Sequence, residues 1–117
     1  MITEALTLVH TARDRRRVVN TSDIYYLEAT GAHTRVHRRG GRPLMDLRSL
    51  GDVLTAWTDR GLLRIHDGYA VHPARVLELR LRESGRDWEL KLEPPVNEVL
   101  PIGRSYARAV WAAFGEG

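Results

Sequence analysis

Between Leu77 and Leu92 the sequence keeps a period of two on both sides of a turn. Leu77, Leu79 and Leu81 alternate with Glu78, Arg80 and Arg82; after Ser84-Gly85, Trp88, Leu90 and Leu92 alternate with Asp87, Glu89 and Lys91. Successive side chains of a strand point to opposite faces, so this pattern predicts an antiparallel hairpin with one face buried and the other wet. A lone hairpin is marginal in water and needs further layers to cover its apolar face. The rest of the chain must therefore supply them.

Most of it reads as further short strands. Ala5 to His10 alternates weakly, and Arg15 to Val19 can return antiparallel through the polar Thr11–Asp14 segment. Asn20-Thr21-Ser22-Asp23 gathers residues whose side chains bond their own backbone, which marks a turn. Ile24 to Ala29 has the aromatic and branched content of a strand, and Gly31 separates it from another at Ala32 to Arg38. Gly40-Gly41 then turns the chain into 42–47. Beyond the hairpin, Pro94-Pro95 breaks the pattern and Glu98 to Ile102 reads as a short last strand.

Two stretches carry a helical period instead. Leu47, Leu50, Val53, Leu54 and Trp57 form one apolar stripe that Gly61 terminates. Ile102, Tyr106, Val110 and Phe114 recur every four residues, which predicts a final amphipathic helix. Arg104 and Arg108, also four apart, share a face of it. The fold class expected is mostly β with one or two small helices.

At 117 residues this is one domain, 1–117, with an ordinary balance of 43% apolar and 28% charged residues. No run approaches the roughly 18 apolar residues of a membrane span, and the first residues lack the pattern of a signal peptide. A cytoplasmic protein without membrane association is the expectation. The absence of cysteine removes thiolate nucleophiles and most structural zinc sites.

The net charge of +3 is unevenly spread: nine arginines face five acids in residues 1–50, whereas nine basic residues face ten acids in 51–117. A basic half and a pI near 9.8 suggest an anionic partner, nucleic acid above all, or else simply a solvated surface. Arg15-Arg16-Arg17 has the same two readings, a phosphate contact or a charged edge strand that resists aggregation.

Catalysis finds little support. His33 and His37 lie four apart on a predicted strand, about 13 Å, and cannot share one metal whose bonds to nitrogen are about 2 Å. There is no H-E-x-x-H, Walker loop, G-x-S-x-G elbow or dinucleotide fingerprint. No enzyme, cofactor, metal or small-molecule substrate is expected. Trp57, Trp88 and Trp111 fall on apolar stripes and read as core. Arg104, near the start of a helix, opposes the helix dipole unless it meets an external anion such as a phosphate or a guanine edge.

Residues 64–72, R-I-H-D-G-Y-A-V-H, admit three readings: an Asp-Gly hairpin turn, a chemical site with histidines around a carboxylate, or a recognition loop. The series V-N-T-S-D-I-Y-Y-L-E-A-T-G-A-H-T-R-V-H, L-R-S-L-G-D-V-L, L-L-R-I-H-D-G-Y-A-V-H-P-A-R-V-L-E-L and L-P-I-G-R-S-Y-A-R-A-V resembles the LytTR DNA-binding domains, output modules of bacterial response regulators in two-component systems. The likeness runs from about Leu6 to Phe114, with four motifs in the family's order.

The resemblance implies stacked short β-sheets and sequence-specific binding of double-stranded promoter DNA, commonly by two copies on repeated sites. It also implies that loops, rather than a recognition helix, meet DNA. Those loops are Thr30-Gly31-Ala32-His33, which makes His33 a contact; Asp67-Gly68; and the arginine entering the last helix, Arg104, with Arg108 beside it. Arg35 shares a strand face with His33 and is a phosphate-contact candidate. Two positions depart from the family's pattern. Asp67-Gly68 stands where Arg or Asn followed by Ser is usual, and His72 where Asn is typical. An acid at the DNA is repelled by phosphate unless it accepts from a cytosine amino group or buttresses an arginine. A protein-interaction module on the same scaffold, with weak or lost DNA binding, is the alternative. No receiver domain is expected ahead of Ala5.

Overall fold

The computed structural model describes residues 6–116. Ten short strands form three antiparallel sheets. β1 (Leu6–Ala12) pairs with β2 (Arg15–Asn20); Ala5, the expected start of β1, lies outside the described residues. A central sheet has the order β5-β4-β3-β7-β6, built from β3 (Ile24–Thr30), β4 (His33–Arg38), β5 (Leu44–Asp46), β6 (Leu63–His66) and β7 (Tyr69–Val71). The third sheet has the order β10-β9-β8, with β8 (Val76–Leu81), β9 (Trp88–Leu92) and β10 (Val99–Pro101). Two seven-residue helices complete the fold, α1 (Leu50–Ala56) and α2 (Ala107–Ala113). Among the described residues, no helix is long and apolar enough to cross a membrane.

The central sheet is covered on both faces. One core joins Val9, Val19, Ile24, Leu27, Val36, Val53 and Trp57, from β1–β2, the sheet and α1. The other joins Tyr25, Tyr26, Ile65, Leu90, Leu92, Leu100 and Val110, from the sheet, the third sheet and α2. This is why Ile24-Tyr25-Tyr26-Leu27 shows no alternation: a strand buried on both faces reads as a continuous apolar run. A register shift between Ile24 and Tyr26 lets both tyrosines enter the same core.

Three expectations need correction. Leu47 belongs to neither helix nor core: Ser49 caps α1 by accepting from the Asp52 N–H at 3.2 Å, so the helix begins after Leu47, which is exposed. Gly61, at φ 77°, ends a 3₁₀ turn (Thr58–Arg60) that follows α1 rather than α1 itself. The last helix is likewise shorter than its stripe, with Arg104–Tyr106 in a 3₁₀ turn ahead of α2.

The 77–92 hairpin forms with the expected pairing, Leu79 opposite Leu90 and Leu81 opposite Trp88. Only its β9 arm is well buried, however. Leu90 and Leu92 are fully covered while Leu77 and Leu81 stay 57% and 48% exposed, because β8 is an edge strand with no further strand beside it among the described residues.

Candidate nucleic-acid interface

The antiparallel order of the central sheet brings several connections to one end of it. The β3–β4 turn, the chain leaving β5 and the β6–β7 turn all emerge there. Asp67-Gly68 is the turn of the β6–β7 hairpin, so the turn reading and the loop reading of this stretch describe the same structure. The Ala29 N–H donates to the Gly68 carbonyl at 2.9 Å, which ties this turn to the end of β3, next to Thr30-Gly31. Gly31 has φ 63°, a conformation that suits glycine in a tight turn.

On one flank of this rim, the His33 Nδ1–H donates to the Leu47 carbonyl at 2.8 Å. That fixes the proton on Nδ1 of the neutral ring and leaves Nε2 of this exposed side chain as an acceptor for an outside donor. The Thr34 hydroxyl donates to the Arg48 carbonyl at 2.9 Å and holds the same segment. Asp46 anchors it from below. Its fully buried carboxylate accepts from the His10 N–H, the Arg48 N–H, and Arg48 Nε and Nη2, at 2.8–3.0 Å. Burial pushes the Asp46 carboxyl up, but these hydrogen bonds outweigh it and hold the group below its ordinary value.

On the other flank, Arg64 spans the β6–β7 turn, its Nη2 donating to the Asp67 carbonyl at 2.7 Å. The Gly68 N–H donates to His66 Nδ1 at 3.0 Å, so His66 is a turn-stabilising residue packed beside Tyr69, with ring centroids 5.5 Å apart. The Tyr106 hydroxyl donates to Asp67 Oδ1 at 2.7 Å, joining this turn to the 3₁₀ turn that starts at Arg104. The Gly103 N–H donates to the Ile65 carbonyl at 2.7 Å. A Cβ on Gly103 would lie 3.1 Å from the Tyr106 ring, which would have to give by a few tenths of an ångström.

The structure brings His33, Asp67 and Gly68 to one end of the sheet, with the turn that starts at Arg104 fastened beside them. The Arg104 side chain itself points elsewhere: its Nε donates to Asp87 Oδ1 at 2.8 Å. The anion that the helix entrance calls for is thus supplied inside the chain by the β8–β9 connection. Arg108 is exposed in the first turn of α2. Arg35 sits across from Glu28 at 3.5 Å, and Glu28 also pairs with His37 at 2.9 Å, so part of its charge is compensated. The His37 ring in turn stacks on Tyr26 at 4.0 Å.

The sequence reading missed Arg64, Arg48 and the polar role of Tyr106. The last was hidden because its aromatic body falls on an apolar stripe while its hydroxyl reaches out of it. His72, where the family's pattern has Asn, caps the Pro73–Arg75 3₁₀ turn by accepting from the Ala74 N–H at 3.3 Å. An imidazole nitrogen here does the work of an amide oxygen.

Two covered faces and three small sheets, among the described residues, define a β-domain whose connections gather at one end of the central sheet. The family model of the LytTr DNA-binding domain matches residues 14–115, and the chain belongs to that family. It is 34% identical over 87 residues, 74% of its length, to the CO-responsive transcriptional regulator RcoM of Rhodospirillum rubrum. The chain spans 36% of the length of that relative. Its fold is that of a solved LytTr DNA-binding domain from Bacillus cereus, with a TM-score of 0.75 and 19% identity over 95% of this chain and 97% of the other.

Proposed function

We propose that this domain binds double-stranded promoter DNA sequence-specifically, as the non-enzymatic output module of a bacterial transcription regulator in the cytoplasm. The observation that carries the reading is the joining of the β3–β4 and β6–β7 turns by the Ala29–Gly68 hydrogen bond, which presents both to one ligand. His33 reads a base edge by accepting from a base amino group at Nε2, or meets a phosphate when the ring is protonated and Nε2 donates. Gly68 lets the backbone come close, and Asp67 accepts from a cytosine amino group. Arg35 and Arg108 contact phosphates, and Arg104 exchanges Asp87 for a guanine edge. Two copies occupy repeated sites as a homodimer on DNA.

Titration of labelled promoter and random DNA across salt concentrations tests this. Promoter binding should fall steeply with salt, and Arg104→Ala should remove the preference for promoter over random sequence. Equal binding to both DNAs at every salt concentration rejects it.

A protein-interaction module is the second reading. It is favoured by the internal pairing of Arg104 with Asp87 and of Asp67 with Tyr106. Asp67→Asn and Asp67→Arg separate the two. A changed DNA affinity in either supports the DNA reading, and no change in both supports a rim that meets a protein.

A further inference from the structure

β8 ends the third sheet with a free edge, and its outward residues pair with themselves when the strand is inverted. We propose that this edge docks a second copy of the chain, antiparallel strand to strand, about a two-fold axis at Leu79.

The backbone permits it. The Arg82 N–H donates to the Asp87 carbonyl at 2.8 Å. In an antiparallel ladder, residues whose backbone groups point to the partner strand alternate with residues whose groups point away. Stepping by two from Arg82, Arg80 opposite Glu89 and Glu78 opposite Lys91 turn their backbone groups toward β9. Leu79 and Leu81 therefore turn theirs to the open edge. Two copies centred on Leu79 bring these two sets of unused donors and acceptors together, so that six strands make one continuous sheet.

The side chains select the same register. Inversion about Leu79 sets Glu78 against Arg80 of the second copy and Arg80 against its Glu78; β8 shifts register between Val76 and Glu78, so the regular stretch that pairs runs from Glu78 to Leu81. A slip that centres the axis on Arg80 sets two arginines face to face, and one centred on Glu78 does the same with two glutamates. Opposite charges directly across a ladder are favourable and like charges are not, so the pattern singles out one alignment.

Exposure agrees. Glu78 and Arg80 side chains are 51% and 45% exposed, and apolar Leu77 and Leu81 on the same strand are about as open. Arg80 pairs within the chain with Glu89 at 2.7 Å and with Glu78 at 3.5 Å, and the second copy's Glu78 replaces the longer of these contacts. Leu77 borders a groove of about 720 Å³, lined further by Leu79, Trp88, Trp111 and Phe114, which the second copy's strand extends. A charged edge usually deters association. This one deters every partner except an inverted copy of itself. A C2 contact of this kind closes on two chains and does not propagate.

Sedimentation velocity on the 117-residue chain over a concentration series, without DNA, is the test. The expected result is a monomer–dimer equilibrium. Glu78→Arg and Arg80→Glu should each weaken it by roughly tenfold or more, since each makes both cross-copy charge pairs alike. An equimolar mixture of the two variants should recover a heterodimer, because each restores the charges the other lacks. The double variant Glu78→Arg/Arg80→Glu should dimerise alone. Circular dichroism identifies a misfolded single variant, and the double variant then decides. A wild-type chain that stays monomeric throughout, single variants that dimerise as wild type does, or a double variant that stays monomeric overturns the proposal. The assay contains no DNA, so its failure leaves the DNA-binding reading untouched.

Discussion

Asp46 and Asp67 stand at the same end of the central sheet, on its two outer flanks, and each holds a turn in place. Asp46 is the last residue of β5 and is fully buried, with four hydrogen bonds from His10 and Arg48. Asp67 follows β6 and is exposed, and its carboxylate accepts from the Tyr106 hydroxyl. A buried carboxylate that loses its partners cannot turn to water, so the first flank is fixed. An exposed one exchanges its partner for solvent or ligand at little cost, so the second flank is adjustable. A rim built this way has a rigid side that sets register and a yielding side that adapts to what it meets.

Removing the buried anchor should have the largest effect. Asp46→Ala leaves the Arg48 guanidinium and the His10 N–H without their acceptor and should cost about 3 kcal/mol or more in urea unfolding. Hydrogen exchange should show protection lost first at His10 and Arg48, with Ala29 and the β6–β7 turn less affected. A loss under ~1 kcal/mol would mean that the two aspartates are equivalent after all.

Acid should reproduce that difference within the wild-type chain. The hydrogen bonds to Asp46 hold its carboxyl below the ordinary value, so the folded state binds its proton less readily than the unfolded state. Its contribution is therefore complete above the unfolded pKa, about 3.9, and is lost as the pH falls through the folded value. Stability measured across this range should decline for the wild type, and the decline should flatten in Asp46→Asn. His10 adds to the loss at somewhat higher pH. Burial, with Arg48 and Arg16 nearby, lowers its pKa, so the fold favours its neutral form and loses that preference as pH drops below about 6.5.

The fold was legible where local pattern and tertiary surroundings agree. The period-two hairpin and the Asp67-Gly68 turn are fixed by residues close in sequence. Leu77 and Leu81 misled because alternation reports which face a strand offers, and says nothing of whether another strand lies beyond it. The site was half legible for the same reason. The loops carrying His33 and Asp67 follow from strand order. The partners that compensate the charges are distant in sequence: Asp46 meets His10 across 36 positions and Arg104 meets Asp87 across 17. No spacing rule connects such pairs, because the packing of whole layers brings them together.

On the yielding flank the same substitution should hardly register in stability. Asp67→Asn is expected to move the urea midpoint by under ~0.5 kcal/mol equivalent, as surface changes usually do. A loss comparable to that of Asp46→Ala would show that the turn depends on this carboxylate as much as β5 depends on the other.

The smallest signal is also the most direct readout of the Asp67 contact. The Asp67 carboxylate accepts the Tyr106 proton and so favours the neutral phenol, which raises the Tyr106 pKa above its ordinary 10.0; partial burial adds to this and nearby Arg64 opposes it. In Asp67→Asn the acceptor is weaker and its negative charge is gone, so the phenol should ionise at lower pH than in the wild type. Ultraviolet titration of the two proteins, with Tyr106→Phe to assign the step, measures that displacement. Binding of DNA should narrow it, because a carboxylate engaged by a base amino group no longer holds Tyr106. If the Tyr106 step in the wild type keeps its place when DNA is added, Asp67 remains on Tyr106 in the complex, and the second flank is as fixed as the first.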